Sequence, residues 1–250
     1  RAMMEAWNSK MWNSTSGLLL WMSHPAWPSM VWQIYSWDYE TFGSFYGCRK
    51  ACEPIHIQKN LDDQKVVVVN TSLKEIKGAK VIYEAYSLEG KSLFKRTSKL
   101  NVLANGLTEC FVQDKPISVS GVYMERLILQ DKRGKVISIN DYWQDNGEGN
   151  FQGFNALEEA SINCKLIRQK ESQIQIELQN TGAMPALALK LNVREADTDK
   201  RILPAYASDG YFNLLPGEKR TVTVEYVSRE EVAISAEGYN LKRSRLLTLK

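Results

Sequence analysis

The sequence lacks any run of about 18 apolar residues, the length that a membrane-spanning helix requires. Cysteine and histidine are scarce, with 4 and 2 copies in 250 residues. Four cysteines are too few for a disulfide scaffold, and Cys48 and Cys52 with His56 nearby do not supply four zinc ligands. An excess of one charge is also lacking, since 32 basic residues face 29 acidic ones. We therefore expect no membrane span, no metal, no cofactor and no nucleic-acid partner.

Tryptophan is present in quantity, but almost entirely at the start of the chain. Residues 1–47 carry few charges, namely Arg1, Glu5, Lys10, Asp38 and Glu40. Six of the seven tryptophans lie in the first 37 residues: Trp7, Trp12, Trp21, Trp27, Trp32 and Trp37. An aromatic, charge-poor segment of this kind indicates either deep burial or a surface that faces a sugar.

The order of predicted elements in this opening segment is helix, strand, aromatic loop, helix. Ala2–Trp12 reads as a helix end, and Asp38–Cys52 reads as a second helix that stops before Pro54. Leu18–Met22 is an uninterrupted apolar run, which is typical of a strand buried on both faces. This order is the repeating unit of a βα barrel, and one such unit cannot close a sheet alone.

Beyond residue 56 the pattern changes to short strands with alternating polarity, separated by turns. The first set of predicted strands is 64–70, 79–87, 92–100, 107–112, 121–130 and 136–142. The second set is 161–169, 173–180, 186–195, 220–226, 232–236 and 245–249. The sets align without a gap when Asn70 is placed on Asn180. A repeat of about 100 residues with about seven short strands predicts two tandem immunoglobulin-like sandwiches.

Two stretches of the opening segment resemble a known family. They are Trp12–Ser29, WNSTSGLLLWMSHPAWPS, and Phe45–Gln58, FYGCRKACEPIHIQ. The first resembles the last barrel strand of glycoside hydrolase family 2, in its β-mannosidase and exo-β-glucosaminidase branch. The second is similar to that family's exit from the barrel, which typically reads Y/F-G-x-(R/K)-x-A-x-E-P-(I/L)-H-(V/I)-Q. The resemblance is specific over residues 7–58 and continues beyond as domain order, because the family places two immunoglobulin-like domains after its barrel.

The resemblance implies a mainly β chain with three domains. Residues 1–55 would be the last βα unit of a (β/α)8 barrel, and residues 56–148 and 149–250 would be the two sandwiches. It also implies the C-terminal part of an enzyme that hydrolyses β-mannoside or β-glucosaminide bonds with retention. The partners would be a β-linked oligosaccharide or glycoside and the missing N-terminal barrel and sugar-binding domains. Such family members are frequently exported, to the periplasm or outside the cell.

Retaining hydrolysis needs two carboxyl groups that stand about 5–5.5 Å apart. In the family both glutamates precede the final barrel strand, and nothing before Trp12 matches either motif. We therefore expect no catalytic residue in this chain and no activity from the chain alone.

The resemblance assigns substrate binding to Trp21, Trp27 and His24. Trp21 matches a tryptophan that stacks beneath the sugar, and Trp27 matches a second aromatic residue in the loop over the site. A flat indole suits this role because it covers the apolar C–H patch of a sugar ring. His24 with Pro25 stands where relatives commonly have Asn followed by Asp or Asn. The family also often has a cis peptide bond after the first tryptophan, here Trp21–Met22, and we assign Trp7, Trp12, Trp32 and Trp37 to packing.

Two other functions fit the sequence. The sandwiches could form a non-catalytic carbohydrate-binding module, with a surface built from Tyr142, Trp143, Tyr206, Tyr211 and Phe212. Alternatively, the sandwiches are purely structural and the same residues belong to the core or to contacts between domains. Binding of manno- or chito-oligosaccharides to residues 56–250 separates these two readings.

Overall fold

The structure is a computed structural model that describes residues 1–29, 33–113, 121–145, 147, 149–228 and 230–249. The chain forms two compact units. The first unit contains Arg1–Leu20 and Gly47–Ala156, and the second contains Trp21–Tyr46 and Leu157–Lys250. The predicted domain limits of 1–55, 56–148 and 149–250 remain a proposal. Residues 1–55 contribute to both units.

The first unit is built around a sandwich of seven described strands. These strands are β1 (Ile55–Lys59), β2 (Lys65–Asn70), β3 (Ile76–Ser87), β4 (Ser92–Val102), β5 (Gly106–Val112), β6 (Tyr123–Gln130) and β7 (Val136–Gln144). One antiparallel sheet has the order β1-β2-β5 and the other has the order β4-β3-β6-β7. Alternating apolar side chains fill the space between the sheets, and Ile57, Val68, Tyr83 and Leu127 are fully buried.

The second unit is built around a sandwich of eight described strands. These strands are β8 (Ile162–Lys170), β9 (Gln173–Asn180), β10 (Ala186–Glu195), β11 (Ala205–Ala207), β12 (Phe212–Leu214), β13 (Lys219–Tyr226), β14 (Val232–Gly238) and β15 (Leu241–Leu249). Its antiparallel sheets have the orders β11-β13-β9-β8 and β12-β10-β14-β15. Ile174, Ile176, Leu178 and Ile234 are fully buried between them. The prediction of a mainly β fold is confirmed.

Each of the twelve predicted strands corresponds to a strand of the structure, and β9 and β10 have the predicted limits at both ends. Strands β1, β11 and β12 were not predicted from the sequence. The last two contain only three residues each, which is too short for an alternating pattern to stand out. β1 lies within the motif that resembles the barrel exit, and its four buried residues in succession hide the alternation.

The internal repeat is confirmed by one side chain that makes the same contacts in both sandwiches. Asn70 ends β2 and Asn180 ends β9, and both residues are fully buried. The Nδ2 atom of each donates two hydrogen bonds of 2.8–2.9 Å to backbone carbonyls. The acceptors are Lys74 and Leu103 for Asn70, and Met184 and Leu214 for Asn180. Each asparagine thereby satisfies two backbone carbonyls, one of them four residues further along the chain and the other more than 30 residues away.

The opening segment corrects three predictions of secondary structure. Leu18–Met22 is not a strand, and the Leu19 side chain is 97% exposed. A strand buried on both faces needs hydrogen-bonded neighbours, and none of the described strands pairs with this run. The helices are shorter than predicted: α1 is Ala2–Asn8 and α2 is Gly43–Ala51. Helix α2 begins late because a bridge between Tyr35 and Thr41 closes a turn where helix was predicted.

Two further predictions about the tryptophans are wrong. Trp7, Trp12 and Trp37 are substantially exposed instead of packed in the core, and Trp32 lies outside the described residues. Among the described residues, the non-proline cis peptide bond joins Met11 to Trp12 and not Trp21 to Met22. The Trp12 indole donates a hydrogen bond of 3.0 Å to the carbonyl of Asn105.

We expect Asn70→Ala and Asn180→Ala each to destabilise its own sandwich by about 2–3 kcal/mol, because each leaves buried carbonyls without donors. Chemical denaturation of each variant measures this effect. Asn163→Ala is the matched control, since Asn163 is exposed in β8 and the same change there should cost less than about 0.5 kcal/mol. Equal effects at all three positions would contradict the proposed role of the buried asparagines.

Candidate functional site

Residues 21–46 of the second unit carry the predicted sugar-binding side chains, and we call this stretch the aromatic segment. The backbone of the segment is folded back on itself. The Ser23 carbonyl accepts hydrogen bonds from the N–H groups of Ile34 and Tyr35, at 3.1 and 3.2 Å. Tyr35 in turn forms the antiparallel bridge with Thr41. Over its described residues the segment therefore has a defined backbone arrangement without a regular strand.

The end of the aromatic segment is anchored in the second sandwich by Tyr46. The Tyr46 side chain is buried in the hydrophobic core of that sandwich, and its hydroxyl lies 2.9 Å from Thr41 Oγ1. Its ring lies against the backbone of Gly210, where a Cβ would come within 2.7 Å of the ring atoms. Position 210 therefore needs a residue without a side chain for Tyr46 to dock.

The three predicted site residues all lie within residues 21–29 of the aromatic segment. Trp21 is 77% exposed and Trp27 is 69% exposed, so both indoles are accessible to a ligand. His24 is half-buried, and its Nε2 atom lies 3.1 Å from the Trp37 carbonyl oxygen. Its ring stacks on Tyr39 with centroids 4.3 Å apart and planes inclined by 13°. The role of these residues in sugar binding remains a prediction.

Two accessible aromatic side chains were not predicted from the sequence. They lie in the second loop of the aromatic segment, which the bridge between Tyr35 and Thr41 closes. Trp37 was assigned to packing, and Tyr39 was placed inside a predicted helix. In the structure the two are about half exposed and lie on a short turn. The alternation of aromatic and acidic residues in Trp37-Asp38-Tyr39-Glu40 has period 2, and this signal could have argued against a helix.

The alternative aromatic surface in the sandwiches consists mainly of packed side chains. Tyr142 and Phe212 are buried, and Trp143 packs edge-on against Phe154 with centroids 5.0 Å apart. Tyr211 is half-buried beside Tyr46. These contacts favour the packing reading for this set, and Tyr206 is its more exposed member.

A second cluster of polar groups lies in the first unit, around His56. The imidazole is fully buried between two carboxylates: Nε2 lies 3.0 Å from Glu5 Oε1, and Nδ1 lies 3.4 Å from Glu53 Oε2. A neutral imidazole has one N–H, so hydrogen bonds to both carboxylates require the protonated ring. The same Glu5 accepts hydrogen bonds from Asn140 Nδ2 at 2.6 Å and from the Tyr142 hydroxyl at 3.0 Å.

The charges of this cluster reinforce one another. Burial opposes the charged imidazole, but the hydrogen bonds and charges of Glu5 and Glu53 outweigh it and raise the pKa of His56 above 6.5. Burial also opposes the Glu5 carboxylate, but His56 and Arg1 outweigh it and lower the pKa of Glu5 below 4.5. The pKa of Glu53 is lowered in the same way, against burial, by His56 and by Lys50. The cluster ties α1 to the first sandwich.

This cluster predicts a window of pH in which the first unit is most stable. The contribution of His56 is fully present below pH 6.5 and is lost as the pH rises through its raised pKa in the folded state. The contribution of the two glutamates is present above pH 4.5 and is lost as the pH falls through their lowered pKa values. We therefore expect maximal stability between pH 4.5 and 6.5 from this cluster, measured by denaturation at a series of pH values.

His56→Gln should lower the free energy of unfolding of the first unit by about 3 kcal/mol at pH 5.5, because Glu5 and Glu53 lose their shared cation. In the same variant, the stability of the first unit should fall less as the pH rises above 6.5. His24→Gln provides the control, since His24 lies on a loop of the other unit. If the free energy of unfolding of His56→Gln falls above pH 6.5 as steeply as in the unchanged chain, another group causes this loss of stability.

Comparison with known proteins identifies what this chain is similar to. Residues 140–241 match the family described as the exo-β-D-glucosaminidase Ig-fold domain. The exo-β-D-glucosaminidase of Arthroderma benhamiae is 27% identical over 92% of this chain and 28% of the relative. The mannosylglycoprotein endo-β-mannosidase of Lilium longiflorum is 23% identical over 96% of this chain and 32% of the relative.

A solved structure supports the same relationship. The exo-chitosanase of Amycolatopsis orientalis has a TM-score of 0.85 and 25% identity to this chain, over 97% of this chain and 32% of the solved one. The chain thus spans about a third or less of the length of these proteins. The match confirms the immunoglobulin-like fold of the sandwiches and the resemblance found in the sequence. Residues 140–241 thus match the Ig-fold domain of exo-β-D-glucosaminidases, and the chain as a whole is similar to the C-terminal part of exo-β-glucosaminidases and of a β-mannosidase.

Proposed function

We propose that this chain is the C-terminal, non-catalytic part of a retaining β-glycosidase, and that it supplies a sugar-stacking wall to the active site of the full-length protein. The observation that carries this proposal is the exposure of the Trp21 and Trp27 indoles on a loop that the second sandwich holds in place. Exposing two indoles to water is unfavourable unless a ligand or partner covers them. An indole face complements the apolar C–H face of a pyranose, and so a glycoside fits this surface.

The arrangement of the carboxylates supports a non-catalytic role for the chain alone. A retaining pair must face a scissile bond across about 5–5.5 Å, with one group kept protonated as the acid. Glu5 and Glu53 instead share the buried imidazole of His56, and both pKa values are lowered. Asp38 and Glu40 share the guanidinium of Arg201. In both pairs a cation occupies the place that a substrate would need.

For the substrate, we propose a β-linked D-glucosamine residue at the end of an oligosaccharide, as in chitosan. The support is that the matching family and the relative from Arthroderma benhamiae are both described as exo-β-D-glucosaminidase. A β-mannoside is the second candidate, because the Lilium longiflorum relative is described as an endo-β-mannosidase. Hydrolysis of p-nitrophenyl β-D-glucosaminide and p-nitrophenyl β-D-mannoside by the full-length protein distinguishes the two.

Trp21→Ala and Trp27→Ala in the full-length protein should each lower kcat/KM for the glycoside by up to about tenfold, because each removes a stacking face of roughly 0.5–1.5 kcal/mol. Trp21→Phe should recover part of the loss, because it keeps an aromatic face. Tyr239→Ala is the matched control, as an exposed aromatic residue in the turn between β14 and β15 of the same unit. If Trp21→Ala and Tyr239→Ala behave alike, Trp21 does not stack on the sugar.

The 250-residue chain by itself should not hydrolyse either glycoside above the background rate, because the carboxylates of Glu5 and Glu53, and those of Asp38 and Glu40, are bound to cations. A colorimetric assay with p-nitrophenyl glycosides at pH 5–7 measures this directly. The proposed function would be overturned if the chain alone released p-nitrophenol at the rate of the full-length protein. The same would have to hold for its Glu5→Gln, Trp21→Ala and Trp27→Ala variants.

A binding module remains the second candidate function, favoured by the same exposed indoles. Isothermal titration of the chain with chito- and manno-oligosaccharides tests it. Binding without catalysis would be favoured by two results together. The chain would release heat with an oligosaccharide that Trp21→Ala does not, and the full-length protein would show no hydrolysis of the glycosides.

A further inference from the structure

The second loop of the aromatic segment ends in a turn, Ser36–Glu40, that we call the acidic turn. Successive side chains of this turn differ in their surroundings. Trp37 and Tyr39 are about half exposed, at 51% and 52%, whereas the carboxylates of Asp38 and Glu40 are only 21% and 22% exposed. The turn therefore directs its aromatic residues to solvent and its acidic residues toward other protein groups.

The acidic turn has its own internal hydrogen bonds. Ser36 N–H donates to the Glu40 carbonyl at 3.1 Å, and Tyr39 N–H donates to the Ser36 carbonyl at 3.0 Å. The Ser36 hydroxyl accepts from Glu40 N–H at 3.1 Å and donates to the Asp38 carboxylate. These contacts close the turn, but they do not attach it to the rest of the unit.

Two cations of the second sandwich make that attachment. Arg201 binds both acidic residues, with Nη2 2.9 Å from Asp38 Oδ2 and Nη1 in contact with the Glu40 carboxylate. Lys190, on β10, lies 2.9 Å from the other oxygen of Glu40. It also lies 3.0 Å from Glu237, on the neighbouring strand β14. One end of this network is thus part of a sheet.

The charges of the network are compatible with this arrangement. Burial opposes ionisation of Asp38, but hydrogen bonds from Ser36 and the Glu40 N–H, with the charge of Arg201, lower its pKa below 3.8. Burial likewise opposes the ammonium group of Lys190, but Glu40 and Glu237 raise its pKa above 10.5. Asp38 and Lys190 are therefore both held in their charged forms at neutral pH.

The acidic turn is also connected to the loop that carries the proposed stacking residues. The Trp37 carbonyl is bonded to His24 Nε2, and the Tyr39 ring stacks on the His24 imidazole. Trp21 and Trp27 lie three residues to either side of His24. A displacement of the turn would thus move His24 and, with it, the backbone between the two tryptophans.

We propose that Lys190 and Arg201 are positioning residues for the sugar-stacking wall. They fix the acidic turn on the second sandwich, and the turn fixes His24 and its loop. This inference rests on the proposed function, since it assumes that Trp21 and Trp27 contact the sugar. It assigns the second sandwich a part in substrate binding although its residues need not touch the substrate.

The test uses the fact that the chain has only two histidines, His24 and His56. In the chain labelled with ¹⁵N and ¹³C at histidine, the His24 ring signals report the stack on Tyr39 and the hydrogen bond to Trp37. In Lys190→Gln/Arg201→Gln these signals should move toward those of a free histidine. The His56 signals should not change, because His56 is buried in the other unit. His24 signals that stay in place would overturn the inference.

The matched variants separate positioning from general destabilisation. Lys219→Gln removes an ion pair with Glu177 in the same sandwich and should leave the His24 signals in place. Asp38→Asn/Glu40→Gln removes the two carboxylates of the acidic turn and leaves Lys190 and Arg201 unchanged. It should move the His24 signals as the Lys190→Gln/Arg201→Gln variant does. Lys190→Arg keeps the charge and should keep the His24 signals. A shift in Lys219→Gln as large as in Lys190→Gln/Arg201→Gln would contradict a specific positioning role.

Kinetics in the full-length protein complete the test. Lys190→Gln/Arg201→Gln should raise KM about fivefold with a smaller change in kcat, the scale of losing a few partly exposed ion pairs. If Trp21→Ala lowers kcat/KM but the double variant leaves KM unchanged, the positioning role is wrong and the proposed function stands. If Trp21→Ala leaves kcat/KM unchanged, the proposed function is wrong. The positioning role is then wrong too, even if the His24 signals move in the double variant.

Discussion

Charged side chains hold residues 1–46 to the sandwiches, and this constraint determines what the chain can present to a ligand. The sandwiches satisfy their backbone groups through antiparallel sheets. The described residues of the opening segment have no such pairing apart from isolated bridges. Side-chain contacts therefore attach the segment to the sandwiches. In the first unit Glu5 binds the buried His56. In the second unit Asp38 and Glu40 bind Arg201.

The two attachments differ in burial and so in strength. His56 is fully buried and Glu5 nearly so, and removal of one of these two partners would leave an uncompensated charge in the interior. The Arg201 network is partly exposed, and water and salt weaken it. A stronger attachment suits a structural element such as α1. The weaker attachment holds the acidic turn, and through it His24 and the loop of residues 21–29.

The sequence was sufficient to predict most of the fold, because the alternation of polarity and the repeated Asn70 and Asn180 are local signals. The opening segment was predicted less well. The apolar run Leu18–Met22 has the composition of a buried strand, but composition cannot supply the neighbouring strands that such a strand needs. The short strands β11 and β12 were missed because three residues carry almost no periodic information.

The candidate site was predictable only in part. The resemblance singled out Trp21, Trp27 and His24, and the structure brings them onto one loop of the second unit. The contacts of His24 with Trp37 and Tyr39 could not be predicted, since Trp37 was assigned to packing and a helix was expected at Tyr39. The partners of Asp38 and Glu40 lie 150 or more residues away along the chain, at Lys190 and Arg201, and no local pattern connects them.

The central claim is that the chain contributes a sugar-stacking wall and that the bond-cleaving carboxylates lie elsewhere. Fluorine NMR of the full-length protein labelled with 5-fluorotryptophan tests it most directly, with signals assigned by single substitutions. On titration with glucosamine, the account predicts that the signals of Trp21 and Trp27 shift in a saturable manner while that of Trp12, in the first unit, does not. Saturable binding that leaves the Trp21 and Trp27 signals unchanged would contradict the account.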